Sequence, residues 1–277
     1  MSDLKHGIVL PFGGARMVAE LARQAEEAGW DGIFRPEPVW HIDAWICLTA
    51  AAMTTERVRL GTLISALPRM RPWRVAAQTA TLDNLSDGRV ILGVGVGWLM
   101  YGYQAFPDEV TDTRIRAEMM DEAIDVLDLL YRGRQEKYEG QHFHVDLTAL
   151  DEQYYPPKPV QQPRIPIWGV GMLSKSKSMQ RVLKCDGWIP EKRAAERQES
   201  ELTPVDFRQM AAYVRENRTL DTPFDLIMQG NTVDHSRQQV LDKVLPFAEA
   251  GATWWIEALY GLTEEKVVER LRQGPKL

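Results

Sequence analysis

Eight short apolar runs alternate with stretches whose apolar residues recur at three- and four-residue steps, and nothing else in the 277-residue chain narrows its fold as far. The runs cover residues 5–10, 31–34, 58–64, 89–95, 165–171, 185–190, 223–230 and 251–259. Strands separated by helices read as parallel, and eight is the number that closes a (β/α)8 TIM barrel. A phrase of helix end, glycine and strand occurs early as AEEAGWDGIF (residues 25–34) and again late as AEAGATWWIE (248–257). An open doubly wound sheet would want GxGxxG after the first strand; GVGVGW, residues 93–98, is neither that motif nor placed there. The expectation is one α/β barrel domain over residues 1–277. Its rhythm lapses only at about 135–163, where YEGQHFHVD and YYPPKPVQQP read as an irregular insertion with short strands. The polar stretch 191–201 reads as a surface loop.

The fourth run, RVILGVGVGW, carries a further constraint. Strand side chains alternate, so Ile91, Gly93, Gly95 and Gly97 share one face while Val90, Leu92, Val94 and Val96 line the other. Glycine in a strand costs roughly 0.5–1 kcal/mol against alanine, which is tolerated where a backbone or a ligand must come close. In a barrel the valine face packs on helices and the glycine face looks into the lumen. Gly95 and Gly97 then lie beside the mouth at the strand C-termini, where barrel active sites sit.

Composition removes other classes. Lys plus Arg number 33 against 39 Asp plus Glu, a net charge of −6 without a basic block, which disfavours nucleic acid as the main partner. No run approaches the roughly 18 apolar residues of a membrane span, and the N-terminal apolar run is too short for a secretory signal, so the cytoplasm is expected. Cys47 and Cys185 form no disulfide framework. No P-loop or G-x-S-x-G elbow is present. His142 and His144 are spaced to share a strand face, but no third ligand stands near them and no metal is assigned. Glu37, Asp186 and Glu257 fall near ends of strands two, six and eight. They allow a competing reading, a metal-dependent barrel isomerase or hydrolase, which leaves the glycine face without a use. The helix read from Ile115, Met119, Ala123, Val126, Leu127 and Leu130 ends at Gly133.

The block TLDNLSDGRVILGVGVGW resembles the fourth-strand hallmark of the bacterial luciferase-like monooxygenases and their flavin- or F420-dependent oxidoreductase relatives. The resemblance extends in order through AGWDGIF, TERVRLGTLI, RIRAEMMDEAIDVL, PPKPVQQPRIPIWGVG, CDGWIP, AGATWWIE and RLRQGP. It implies a (β/α)8 barrel with an insertion after strand four, and a cofactor ring at the strand C-termini. Also implied are a non-prolyl cis peptide near Leu63-Ile64, contacts to the ring from Gly95, Val96 and Gly97, and a phosphate-binding Arg116. The loop Gly171, Met172, Leu173 and Ser174 would hold phosphate on backbone amides, a role that free donors at a helix N-terminus suit independently. Relatives often carry Asp-His after strand two, where this chain has Arg35-Pro36-Glu37 with His41 as the nearest histidine. Glu37, His41 and Glu257 are therefore the candidate catalytic, proton-handling groups. The expected activity is that of a flavoprotein oxidoreductase or monooxygenase on a small organic substrate, with a reductase as supplier of reduced flavin and a homodimer as the assembly. A flavin-binding protein without turnover is the rival from another class. FMN is preferred because Leu63 is larger than the small residue of many deazaflavin relatives. F420 is the alternative, with Lys175 and Lys177 able to meet its acidic tail.

Overall fold

A computed structural model describes residues 4–98, 102–173, 175–192 and 202–276. Its strands are β1 (Lys5–Val9), β2 (Gly32–Arg35), β3 (Arg59–Ala66), β4 (Val90–Gly95), β5 (Lys137–Glu139), β6 (His144–Asp146), β7 (Ile167–Met172), β8 (Gly187–Glu191), β9 (Asp225–Gly230) and β10 (Trp254–Glu257). All but β5 and β6 form a closed parallel barrel in the cyclic order β1-β2-β3-β4-β7-β8-β9-β10. The eight expected strands are thus the eight barrel strands. The insertion contributes the antiparallel pair β5–β6.

The helices are α1 (Ala15–Glu27), α2 (Ala44–Ala52), α3 (Pro72–Leu85), α4 (Thr113–Arg132), α5 (Ser176–Val182), α6 (Pro204–Asn217), α7 (Arg237–Glu249) and α8 (Glu264–Arg272). Sequence reading marked neither α6 nor α8 as a helix. Yet α6 carries a capping box, Thr203 with Asp206, that satisfies two end donors reciprocally. The reading of 191–201 falls mostly outside the described residues. In α4 the buried side is Arg116, Met120, Ala123, Ile124, Val126, Leu127, Leu129 and Tyr131, whereas Ile115 is exposed. Ala123, Val126 and Leu127 of the expected stripe are buried and Met119 and Leu130 partly so, and the buried side also takes in Arg116 in place of Ile115.

The two faces of each strand do separate work. Outward residues of β1–β4, such as Ile8, Ile33, Leu60, Val90, Leu92 and Val94, pack on helices. Inward residues Val9, Phe34, Leu63, Ile91, Trp168, Ile189, Ile227, Trp254 and Ile256 fill the lumen. Phe34 and Trp168 stack at 5.4 Å between ring centroids, and Trp254 meets both edge-on at 5.8 and 5.2 Å. The lower barrel is therefore a solid aromatic floor, and any ligand must lie above it.

Candidate active site

Above the floor, β3 and β4 lose their regular register between Thr62 and Ser65, and the Leu63–Ile64 peptide is cis, where the resemblance placed it. The glycine face of β4 receives this irregular segment. A Cβ on Gly93 would stand 2.2 Å from the Thr62 carbonyl oxygen, so here the close neighbour is backbone. A Cβ on Gly95 would meet Ile64 Cδ1 at 2.9 Å and Val170 Cγ2 at 3.3 Å. Leu63 is buried in the lumen, so Ile64 is the residue of the pair that reaches Gly95.

Beyond β4 the chain turns through Gly97 at φ +78°, a conformation that favours glycine, and a Cβ there would collide with the Tyr103 hydroxyl. Arg116 fastens the turn. Its Nε donates to the Val96 carbonyl at 2.9 Å, its Nη2 donates to the Gly97 carbonyl, and its guanidinium carbon lies 4.9 Å from the Tyr103 ring centre. Arg116 Nη1 and the Tyr103 hydroxyl are both buried with no hydrogen-bond partner among the described residues. Burial also pushes the Tyr103 phenol above its usual value, keeping its proton available for donation. An unsatisfied buried polar group costs about 1–3 kcal/mol, and two donors side by side can receive polar ligand atoms.

The loop after β7 is arranged differently from expectation. Gly171 faces the helices, where a Cβ would meet Trp188 Nε1 at 2.5 Å and Val182 Cγ1 at 2.6 Å, and its carbonyl accepts from the Trp188 indole. The Met172 amide donates to Ser178 Oγ at 2.9 Å, and the Leu173 amide donates to the Glu191 carbonyl at 2.9 Å. Those amides are already engaged by the protein and do not form the free anion nest. Ser174 lies outside the described residues.

The three proton-handling candidates separate. Glu37 is half-buried just past β2, and Ser65 Oγ is hydrogen-bonded to its Oε2. Desolvation is the main cause that raises its carboxyl to about 6, with Asp43 adding to the rise, while Ser65, Trp45 and Arg69 oppose it. His41 is exposed in the loop before α2. Glu257 is fully buried on the outer face: Arg270 Nη2 pairs with Oε1 at 3.1 Å, Trp255 Nε1 donates to Oε1 at 3.1 Å, and the Thr232 amide donates to Oε2 at 2.9 Å. Expecting Glu257 at the mouth was wrong because it shares the outward face of Trp255, two residues earlier. Asp186 precedes β8, at the opposite end of the barrel from the mouth, and is held by Arg164 and Arg218. The strand-end carboxylates therefore do not converge, and no cluster of three or more metal-ligating side chains occurs among the described residues.

The model of the luciferase-like monooxygenases matches residues 5–273. The chain belongs to that family. Among curated proteins it is 34% identical over 208 residues to the "Putative coenzyme F420-dependent oxidoreductase" of Mycobacterium tuberculosis. That match covers 68% of this chain and 56% of the relative, so the chain spans little more than half of that protein's length. Among solved structures, the F420-dependent tetrahydromethanopterin reductase of Methanopyrus kandleri superposes with a TM-score of 0.72. It has 18% identity, with 98% of this chain and 97% of that one covered. The FMN-bound oxygenating constituent of 3,6-diketocamphane monooxygenase, from a Pseudomonas putida plasmid, gives 0.62 at 17% identity, with 87% and 72% covered. At such identities these two likenesses establish the luciferase-like barrel fold alone. By their names, the relative and the reductase are F420-dependent and the monooxygenase constituent is FMN-bound. No helix among the described residues is long and apolar enough to cross a membrane.

Proposed function

We propose that this luciferase-like protein is an F420-dependent oxidoreductase acting on a small organic substrate at the mouth of the barrel. The observation that carries the reading is the pair of unsatisfied buried donors, Arg116 Nη1 and the Tyr103 hydroxyl, beside the positive-φ turn at Gly97. A planar guanidinium with one free edge and a neutral phenol suit a phosphate oxygen, which both F420 and FMN carry on their ribityl arms. When bound, the deazaflavin supplies hydride exchange, and the chain's own part is to hold it, exclude water above the aromatic floor, and manage the substrate's proton. Gly95, Ile64 and Val170 would bound the ring's apolar side, and Glu37 is the group we assign to proton exchange.

The preference for FMN rested on the bulk of Leu63 beside the ring. That support is weak because Leu63 is buried in the lumen cluster and Ile64 is the residue that reaches Gly95. The F420-dependent relative and the exposed Lys175 and Lys177 beyond β7 favour F420 instead. Titrating the purified chain with F420, FMN and a phosphate-free deazaflavin tests the reading. F420 is expected to bind at least tenfold more tightly than FMN. Arg116→Ala and Tyr103→Phe should each weaken F420 by roughly ten- to hundredfold while leaving the phosphate-free ring unaffected. Tighter FMN binding with oxygen consumption on reduction would make the protein a monooxygenase, and equal losses on all three ligands would remove the phosphate from this turn.

A further inference from the structure

A row of oxygen atoms leads from the mouth into the wall of the barrel. Glu37 Oε2 is in hydrogen-bond contact with Ser65 Oγ, Ser65 Oγ lies 2.9 Å from Thr62 Oγ1, and Thr62 Oγ1 lies 3.0 Å from the Gly93 carbonyl oxygen. Thr62 and Ser65 are completely buried, so water does not complete their bonding. Each contact needs one proton between its two oxygens, three in all. Thr62 and Ser65 bring one each, and the Gly93 carbonyl brings none. The third must come from Glu37.

With Glu37 ionised, Ser65 turns its proton to the carboxylate and Thr62 must either fill the Ser65 contact or the Gly93 contact. One buried oxygen pair is then left facing without hydrogen. With Glu37 neutral, every contact closes in a single direction: Glu37 donates to Ser65, Ser65 to Thr62, and Thr62 to Gly93. We propose that Thr62 and Ser65 are positioning residues that hold Glu37 as a neutral carboxylic acid by accepting its proton into a one-way hydroxyl relay ending on the Gly93 carbonyl. The β3 irregularity between Thr62 and Ser65 sets both hydroxyls in this line, and the bare α-carbon of Gly93 lets the Thr62 backbone come close enough.

The charged groups facing Glu37 do not account for a neutral acid by themselves. Asp43, ahead of α2, disfavours ionisation, while Arg69, after β3, favours it and is itself paired with Glu109 at 3.1 Å. The Trp45 indole adds a weak pull toward the carboxylate but stands outside hydrogen-bonding geometry. Desolvation favours the neutral acid, a Ser65 hydroxyl that donates to the carboxylate opposes it, and the relay replaces that donation with acceptance. The protonation state follows from the oxygen row alone. Its use rests on the oxidoreductase reading: the deazaflavin would supply the hydride chemistry when bound, and Glu37 would hold the proton that a substrate oxygen takes up, becoming a carboxylate as it gives it.

The test is carboxyl 13C NMR of the full chain labelled at glutamate, titrated without cofactor, with Glu37→Gln identifying the resonance. If the relay accepts the proton, Thr62→Val strands the Ser65 hydrogen and lowers the midpoint by roughly one pH unit, whereas Thr62→Ser keeps it. Ser65→Ala removes the acceptor and also lowers it. A hydroxyl that merely donates to a carboxylate predicts the opposite sign for Ser65→Ala. A rise or no change there overturns the proposal, even should Thr62→Val fail to fold. The cofactor-free readout separates this outcome from failure of the F420 reading.

Discussion

Glu37 and Glu257 sit near the C-terminal ends of neighbouring parts of the same barrel, and as sequence they were equally eligible for proton chemistry. Their surroundings are opposites. Glu257 lies on the helix side of β10, where a guanidinium, an indole, a backbone amide and a hydroxyl occupy its oxygens. Glu37 has left its strand through Pro36, and among the described residues its hydrogen-bonded partner is the Ser65 hydroxyl. A carboxylate saturated with donors is fixed in place. One that is desolvated and sparsely bonded can exchange a proton near neutrality. Strand-end position alone does not choose between these roles; the face of the strand does.

The largest expected effect falls on the saturated member. Glu257→Ala leaves Arg270, 97% buried in its side chain, without its counter-charge, and should cost 3–5 kcal/mol in a denaturant titration, by the usual size of such losses of about that order. Replacing both partners with apolar residues of similar volume should recover most of it. Full stability with lost turnover would reverse the comparison and put Glu257 in the chemistry.

Glu37→Gln should do the reverse. The folded-state value of Glu37 is raised from 4.5 to about 6, so the folded protein binds its proton more tightly than the unfolded chain does. The resulting stability is fully present below pH 4.5 and is lost as pH rises through 6, to a total of about 2 kcal/mol. The wild type should therefore lose that much between acid and neutral pH relative to Glu37→Gln, whose amide does not titrate. Parallel stability curves for the two proteins would mean that Glu37 is solvated like any surface carboxylate.

The same contrast explains what the sequence made legible. Alternation of apolar runs with amphipathic stretches gave the eight barrel strands, because burial on both faces of a parallel strand writes itself into consecutive residues. The three glycines of β4 announced a close approach but not its nature: at Gly93 it is the Thr62 backbone, at Gly95 an isoleucine side chain, at Gly97 a tyrosine hydroxyl. Sequence distance hid these partners. Arg116 was legible as a phosphate ligand only through family resemblance. Its burial left no mark in the apolar pattern of α4, because a guanidinium bonded to two carbonyls is buried as readily as the apolar residues of the same face. The loop after β7 looked like an anion nest because its residues suit one, yet side-chain and strand carbonyl oxygens already take the Met172 and Leu173 amides. Thr62 and Ser65 carried no signal at all, since neither hydroxyls nor a three-residue spacing distinguish a relay from ordinary strand composition.

His41 completes the comparison with the smallest expected effect. It lies four residues beyond Glu37, but its side chain is exposed, whereas Asp43, two residues further on, is committed to capping α2 through the Ile46 amide at 2.8 Å. The cap fixes where the helix begins and so leaves residue 41 outside both the hydroxyl relay and the barrel wall. An exposed imidazole without a packing role contributes little, and His41→Ala should change stability by no more than about 0.5 kcal/mol. Cofactor affinity should be equally unmoved, because the donors assigned to phosphate stand on the turn after β4 and on α4. Turnover is the discriminating measurement. If His41→Ala abolishes it while Glu37→Gln is tolerated, the loop must fold its histidine over the mouth during the reaction, and proton exchange belongs to the residue that the static geometry leaves in solvent.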